Sequence, residues 1–250
     1  KFNLLKIIIM SALEIKNLRK TYAKNVAVDN ISLSVGQGEF FGFLGPNGAG
    51  KTTTIHCITG IATFSQGTIQ LFGIDVIRDY RNARTKVGLS PQEFNVDLFT
   101  PVYKILDYVG GYYGMPKYLR RERISRLLKQ FDLDQHARKP FRELSGGLKR
   151  RLMLARAMVH DPEFLILDEP TAGVDVELRH ELWSHLKELN KSGKTIFLTS
   201  HYLEEVELLC NRIAIINKGE IAAMGNKNDF VKDGKKLEEK YLSITRGEHF

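Results

Sequence analysis

A chain of 250 residues with 43% hydrophobic content can bury a sizeable core, as one large domain or a core with a smaller lobe, and is too apolar to stay disordered. A net charge of +8 invites an anionic partner, but the basic residues are scattered among 29 acids. No aromatic residues interleave the basic clusters as a single-strand stacking platform requires, so no nucleic-acid partner is expected.

Residues 1–9 are a short basic and apolar segment before Met10, with too short an apolar run for a signal peptide, and are expected to be an extension upstream of the natural start. Residues 13–18 and 31–35 alternate or carry β-branched side chains and predict strands; 68–72 predicts another, giving a β-rich opening. Between them, Phe40–Leu44 is an apolar run predicted as a buried strand, with a helix expected over 52–59 after a glycine-rich turn. From about 103 to 159 the period becomes helical. Ile124, Leu127, Leu128 and Phe131 fall at i, i+3, i+4 and i+7, and Leu152, Ala155, Met158 and Val159 repeat the pattern.

Apolar strands at 164–167, 195–198 and 213–216 then alternate with a helix at 178–189, the order of a parallel α/β sheet, so the helical lobe reads as an insertion in an α/β core. Residues 216–221 carry a hairpin signal, and 226–242 predict a charged surface helix. Arg120-Arg121-Glu122-Arg123 is expected to be a solvated helix face. Cys57 and Cys210 lie far apart with no C-x-x-C or paired His spacing, which argues against a disulfide framework or zinc site and predicts reduced, buried, structural thiols. No apolar stretch approaches the ~20 residues needed to cross a bilayer.

Chemistry enters at Gly45-Pro-Asn47-Gly48-Ala49-Gly50-Lys51-Thr52, directly after the Phe40–Leu44 run, which satisfies the phosphate-loop pattern G-x-x-x-x-G-K-[ST] in its strand-loop-helix context. The glycines let consecutive N–H groups turn inward around phosphates without a Cβ in the way. Lys51 adds positive charge, Thr52 offers a hydroxyl to Mg²⁺, and the helix start directs its dipole at the same anion. A second signal is the buried run ending in Asp168-Glu169, two adjacent carboxylates that are costly unless they meet a cation or do proton chemistry. Beside a phosphate loop this is a Walker B strand, with Asp168 holding Mg²⁺ through water and Glu169 activating the attacking water. These two signals leave kinases, helicases and transport ATPases open.

Leu144-Ser145-Gly146-Gly147 at a predicted helix start supplies a second anion-binding terminus. Here the sequence resembles the nucleotide-binding subunits of ABC transporters, whose signature is L-S-G-G-Q followed by basic residues. The resemblance implies a P-loop NTPase α/β core with a β-rich N-terminal subdomain and an inserted α-helical signature subdomain. One ABC ATPase domain then spans residues 11–225, with core 11–92 and 160–225, insertion about 93–159, a helical tail at 226–250 and an N-terminal extension at 1–10. It implies ATP and Mg²⁺, the ATP contacted by residues 47–53 with Thr53 among them and, from a second copy, by Ser145, Gly146 and Gly147. By the same resemblance Tyr22 stacks on adenine, Gln92 contacts Mg²⁺ or water, and Asp175 communicates across a homodimer. His201 contacts the γ-phosphate as the switch histidine.

The family's signature glutamine is Leu148 here, followed by Lys149-Arg150-Arg151, so this chain lacks the side-chain amide that the family carries at that position. The motifs together look like bacterial ATPase subunits of the ABC-2 type, which drive export through separate membrane-spanning permeases from the cytoplasmic face of the plasma membrane. Nothing in the chain selects the cargo. A soluble ABC ATPase acting on ribosomes, DNA or iron–sulfur assembly is the alternative; translation-type members carry two cassettes and repair-type members long coiled-coil insertions, and this chain shows one cassette and no heptad run.

Overall fold

The structure, a computed structural model, describes residues 11–231 and 236–246. Strands β1 (Ser11–Tyr22) and β2 (Asn25–Gly36) form a hairpin that joins β4 (Gln66–Leu71) and β5 (Ile74–Asp75) in an antiparallel sheet of order β2-β1-β4-β5. The larger sheet has the order β10-β9-β3-β8-β7-β6, built from β3 (Phe40–Leu44), β6 (Val87–Ser90), β7 (Phe164–Asp168), β8 (Thr195–Thr199), β9 (Arg212–Asn217) and β10 (Glu220–Asn226). All its pairings are parallel except β9 with β10, the expected hairpin.

Every residue of β3, β7 and β8 is buried, which is why these strands read as unbroken apolar runs: a parallel sheet is covered on both faces. Side-chain alternation sends Phe40 and Leu44 to one face and Phe41 and Phe43 to the other, into two separate cores. The Phe41 and Phe43 side packs against the antiparallel sheet and helix α1 (Lys51–Ile58), with Phe41 and Phe197 stacked at 5.7 Å. The Phe40 side is covered by helices. Of these α3 (Val102–Tyr112), α4 (Lys117–Gln130) and α5 (Gly146–Ala157) all fall between β6 and β7 in the chain, and α6 (Val176–Lys191) and α7 (Leu203–Leu209) follow. The short α2 (Tyr80–Lys86) precedes β6. Both cysteines are free and buried, and burial pushes the Cys57 thiol up to about 11.

The expected charged surface helix over 226–242 is instead two helices, α8 (Lys227–Phe230) and α9 (Leu237–Arg246). Nor is α9 a purely surface helix: Leu237, Tyr241 and Ile244, at i, i+4 and i+7, form an apolar stripe packed against the core, with Leu237 fully buried. Residues 232–235 and 247–250 of the expected tail, and the N-terminal extension at 1–10, lie outside the described residues. Among the described residues no helix is long and apolar enough to cross a membrane.

Candidate functional site

The loop from β3 into α1 is wedged so tightly that glycine is required at two positions. A Cβ on Gly45 would stand 2.3 Å from Ile216 O, and one on Gly50, whose φ is +110°, would stand 2.6 Å from Ala27 O. The β9–β10 turn fastens it: Gly219 N–H donates to Ala49 O at 3.0 Å, and Asp29 N–H donates to Gly219 O at 2.8 Å. Inside the loop Lys51 is buried, and its ammonium donates to Gly45 O at 2.7 Å and Pro46 O at 3.2 Å. Burial holds its pKa below the ordinary lysine value, against the opposing pull of the Glu169 and Asp168 charges.

Over this loop opens a cavity of about 380 Å³. Asn47, Gly48, Gly50, Lys51, Thr52 and Thr53 line its base, Asn25, Val26 and Ala27 of β2 one wall, and Gln92 with Glu169 the other. Tyr22 is not a lining residue; it pairs with Asn25 across the hairpin, 45% exposed, with Lys20 Nζ 4.4 Å from its ring centre. Ala49 is buried beneath the loop and holds it through its carbonyl.

At the end of β7, Asp168 Oδ1 accepts from the Thr199 hydroxyl at 2.5 Å. Glu169 follows with φ +52°, the left-handed region that a residue with a Cβ seldom adopts, and its N–H is held by Thr199 O at 3.1 Å. Its carboxylate is shared: Gln92 Nε2 donates to Oε2 at 2.8 Å, and His201 Nε2 lies 2.5 Å from Oε1. The loop after β6 and the loop after β8 therefore meet on one carboxylate at the cavity wall. The oxygen donors nearby, the exposed Thr52 hydroxyl, the Asp168 carboxylate and the Gln92 side-chain carbonyl, are hard ligands of the kind Mg²⁺ takes.

The remaining sequence candidates lie elsewhere on the chain. Ser145 caps α5, its hydroxyl accepting from Leu148 N–H at 3.3 Å, and Asp175 caps α6, accepting from Leu178 N–H at 3.0 Å. Neither lines the cavity, nor do Gly146 and Gly147. A Cβ at Gly146 would meet open space, while one at Gly147 would overlap Leu178. Leu148 packs its side chain against the helical core, which accounts for an apolar residue where the family has glutamine.

Two residues that the motif reading did not single out tie these loops together. Arg150 is buried and donates to Gln92 O at 2.7 Å and Ala172 O at 3.3 Å, with its guanidinium 4.6 Å from the Phe94 ring. Its only sequence signal is a place in the basic run beside Gly147; the next residue, Arg151, turns away to Asp132 and Glu181. Glu205 is fully buried in α7, accepting from Trp183 Nε1 at 2.9 Å, the Thr171 hydroxyl at 3.1 Å and the Ser200 hydroxyl at 2.5 Å. Burial raises its pKa, opposed by those three hydrogen bonds.

A phosphate loop on a parallel sheet, faced by a buried acidic strand end, defines a P-loop nucleotide-binding fold. The family model described as "ABC transporter" matches residues 28–172. The chain is 43% identical over 219 residues to the Nod factor export ATP-binding protein I of Cupriavidus metallidurans, covering 88% of this chain and 72% of the relative. It is 40% identical over 217 residues to the linearmycin resistance ATP-binding protein of Bacillus subtilis, covering 87% and 70%. Among solved structures, the ATP-binding subunit of an ABC transporter superposes with a TM-score of 0.85 at 26% identity, covering 94% of this chain and 99% of that one. A dimeric ATP-binding cassette in a post-hydrolysis state, bound to ADP and Pi, superposes at 0.79 and 26% identity, covering 86% and 98%. The chain belongs to the ABC transporter family, as an ATP-binding, ATP-hydrolysing subunit of the exporter type.

Proposed function

We propose that the cavity over the phosphate loop binds ATP with Mg²⁺, that a second copy of the chain completes it, and that hydrolysis there drives export through a permease on the cytoplasmic face of the plasma membrane. The observation that carries this reading is the Glu169 carboxylate, held between Gln92 and His201 beside the phosphate loop. Lys51 exchanges two loop carbonyls for the β and γ phosphates, whose charge offsets the desolvation of its ammonium. The N–H groups of residues 47–53 enclose the phosphates, and Tyr22 reaches the adenine from the rim. Thr52, Asp168 and Gln92 are the residues that would hold Mg²⁺, which supplies charge neutralisation at the phosphate oxygens. Glu169 accepts the proton of the attacking water, and His201 leaves it to contact the γ-phosphate.

Ser145, Gly146 and Gly147 stand off the cavity of their own chain, as expected if they close over ATP held by the partner copy, with Asp175 reporting across the interface. The division into a core at 11–92 and 160–225 with an inserted helical subdomain at about 93–159 gives the permease a place to dock. A groove of about 640 Å³ lies between the two, walled by Tyr108, Tyr112 and Tyr113 of the α3 region and by Pro91, next to Gln92. Tyr113 stacks on His160 at 3.7 Å, and burial lowers the His160 pKa to about 4, so at neutral pH the groove presents stacked aromatic surface with Arg156 as a cation in its lining. A permease segment seated there touches the loop that carries Gln92. The names of the relatives, both of export or resistance type, favour transport over a soluble ABC ATPase acting on ribosomes, DNA or iron–sulfur assembly.

The test is Glu169→Gln. It keeps shape while removing the base, so ATP stays bound, hydrolysis falls by about 10² to 10⁴, and the chain accumulates as an ATP-bound dimer. Hydrolysis at the wild-type rate would show that Glu169 is not the base.

A further inference from the structure

The ATP site makes no use of the positive charge on α3 and α4. The expected solvated face Arg120-Arg121-Glu122-Arg123 divides in the structure. Arg120 pairs with Asp107 at 2.5 Å, and Arg123 with Asp161 at 2.9 Å, whereas Arg121 has no ion-pair partner among the described residues. Lys104, Lys117 and Lys129 have none either, and all four exposed cations converge on one cleft of about 540 Å³ between the two helices. Against them stand Asp107, which is already engaged by Arg120, and Asp134.

The cleft is not merely basic. Its wall includes the apolar Ile124 and Leu128, and its rim holds Tyr103 and Tyr108, 40% and 61% exposed. Cations on flexible stems, exposed tyrosines and an apolar floor are the combination that suits the boundary between water and lipid headgroups.

We propose that the α3–α4 cleft binds the phosphate of an anionic phospholipid, giving the chain a contact with the bilayer surface separate from its permease. The placement rests on the transport reading: Tyr108 lines both this cleft and the groove assigned to the permease, so a permease seated in the groove puts the cleft next to a membrane-embedded partner. Charge complementarity supplies the attraction, and the exposed rings of Tyr103 and Tyr108 at the rim meet the apolar part of the lipid next to its headgroup.

Flotation of the full chain with vesicles tests this. Binding is expected to vesicles of phosphatidylcholine mixed with phosphatidylglycerol, weakening as salt rises, and not to phosphatidylcholine alone. Lys117→Gln with Arg121→Gln removes two charges from the cleft and weakens partitioning about thirtyfold. The charge-matched pair Lys187→Gln with Lys191→Gln on α6 leaves it intact, and unchanged ATP affinity in the cleft variant shows that its fold is sound. Equal loss in the α6 pair overturns the proposal in favour of net charge. Partitioning of the cleft variant at the wild-type level overturns it, because the lipid contact then lies elsewhere on the chain. Loss of permease capture by the cleft variant in lipid-free detergent overturns it in favour of an acidic protein segment. Absent vesicle binding with permease co-purification intact removes the lipid contact alone; vesicle binding without any co-purifying permease removes the transport reading and leaves the lipid contact standing.

Discussion

Replacing Glu205 separates two roles a buried carboxylate can have, as an acceptor and as a charge. Its three donors are themselves buried, with Thr171 at 1%, Trp183 at 2% and Ser200 at 4% exposure, so Glu205→Ala leaves them without the oxygens they now use. An orphaned buried donor costs about 1 to 3 kcal/mol. The Ser200 hydroxyl has a fallback in Tyr202 O at 3.4 Å, whereas the indole N–H of Trp183 cannot rotate away, so a loss near the middle of the range for two donors, about 3 to 4 kcal/mol, is expected. Glu205→Gln keeps one acceptor oxygen for Thr171 and Trp183 and offers its amide to Ser200, and should cost about 1 kcal/mol or less at neutral pH.

The charge has its own signature. Because the folded pKa is raised above the ordinary value of 4.5, protonation of Glu205 contributes stability that is fully present below that value and is lost as pH rises through the folded pKa. The Gln variant cannot titrate, so it gains on the wild type as pH rises through that window. Urea unfolding of wild type, Ala and Gln variants at several pH values measures both effects. Equal stabilities for Ala and Gln, or a Gln-to-wild-type difference that does not move with pH, would refute the assignment of Glu205 as a buried, charge-strained acceptor.

Three further outcomes follow from the site. Tyr22→Ala should raise the KM for ATP about tenfold with kcat unchanged, since base stacking is worth roughly 1 to 3 kcal/mol, while Tyr22→Phe is nearly silent; equal nucleotide affinity in a binding titration removes Tyr22 from the site. Arg150→Lys should lower kcat about tenfold with less change in KM, because one ammonium cannot span Gln92 O and Ala172 O as the guanidinium fork does, and steady-state ATPase kinetics decide it. Lys51→Ala and Ser145→Arg chains, each also carrying Glu169→Gln, should dimerise poorly alone, yet the mixture should trap about one ATP per pair on size exclusion, because one composite site stays whole.

What the sequence made legible, and what it did not, follows from the distance over which each feature is encoded. The phosphate loop is local: Gly45 and Gly50 are dictated by a turn whose backbone must pass within reach of Ile216 O and Ala27 O, Lys51 folds back onto the carbonyls of that same turn, and spacing alone exposes it. The buried strands were legible for a similar reason, since a sheet covered on both faces leaves no polar residue to interrupt the run in β3 or β7. The tail was misjudged because Leu237, Tyr241 and Ile244 are few among charges, and only packing against the core shows that they form its buried stripe. Arg150 and Glu205 stayed hidden for a deeper reason. Each bonds segments far apart in the chain, and in sequence one is a member of a basic run and the other an acid in an acidic helix. Their positions explain how separate motifs act together: Arg150 holds the Gln92 loop to the segment leading to Asp175, and Glu205 holds the residue before His201 to the segment after Glu169. A backbone movement that draws His201 off the Glu169 carboxylate therefore acts on Ser200, and through Glu205 on Thr171 and Trp183, so the loop after β8 and the segment after Glu169 are mechanically linked.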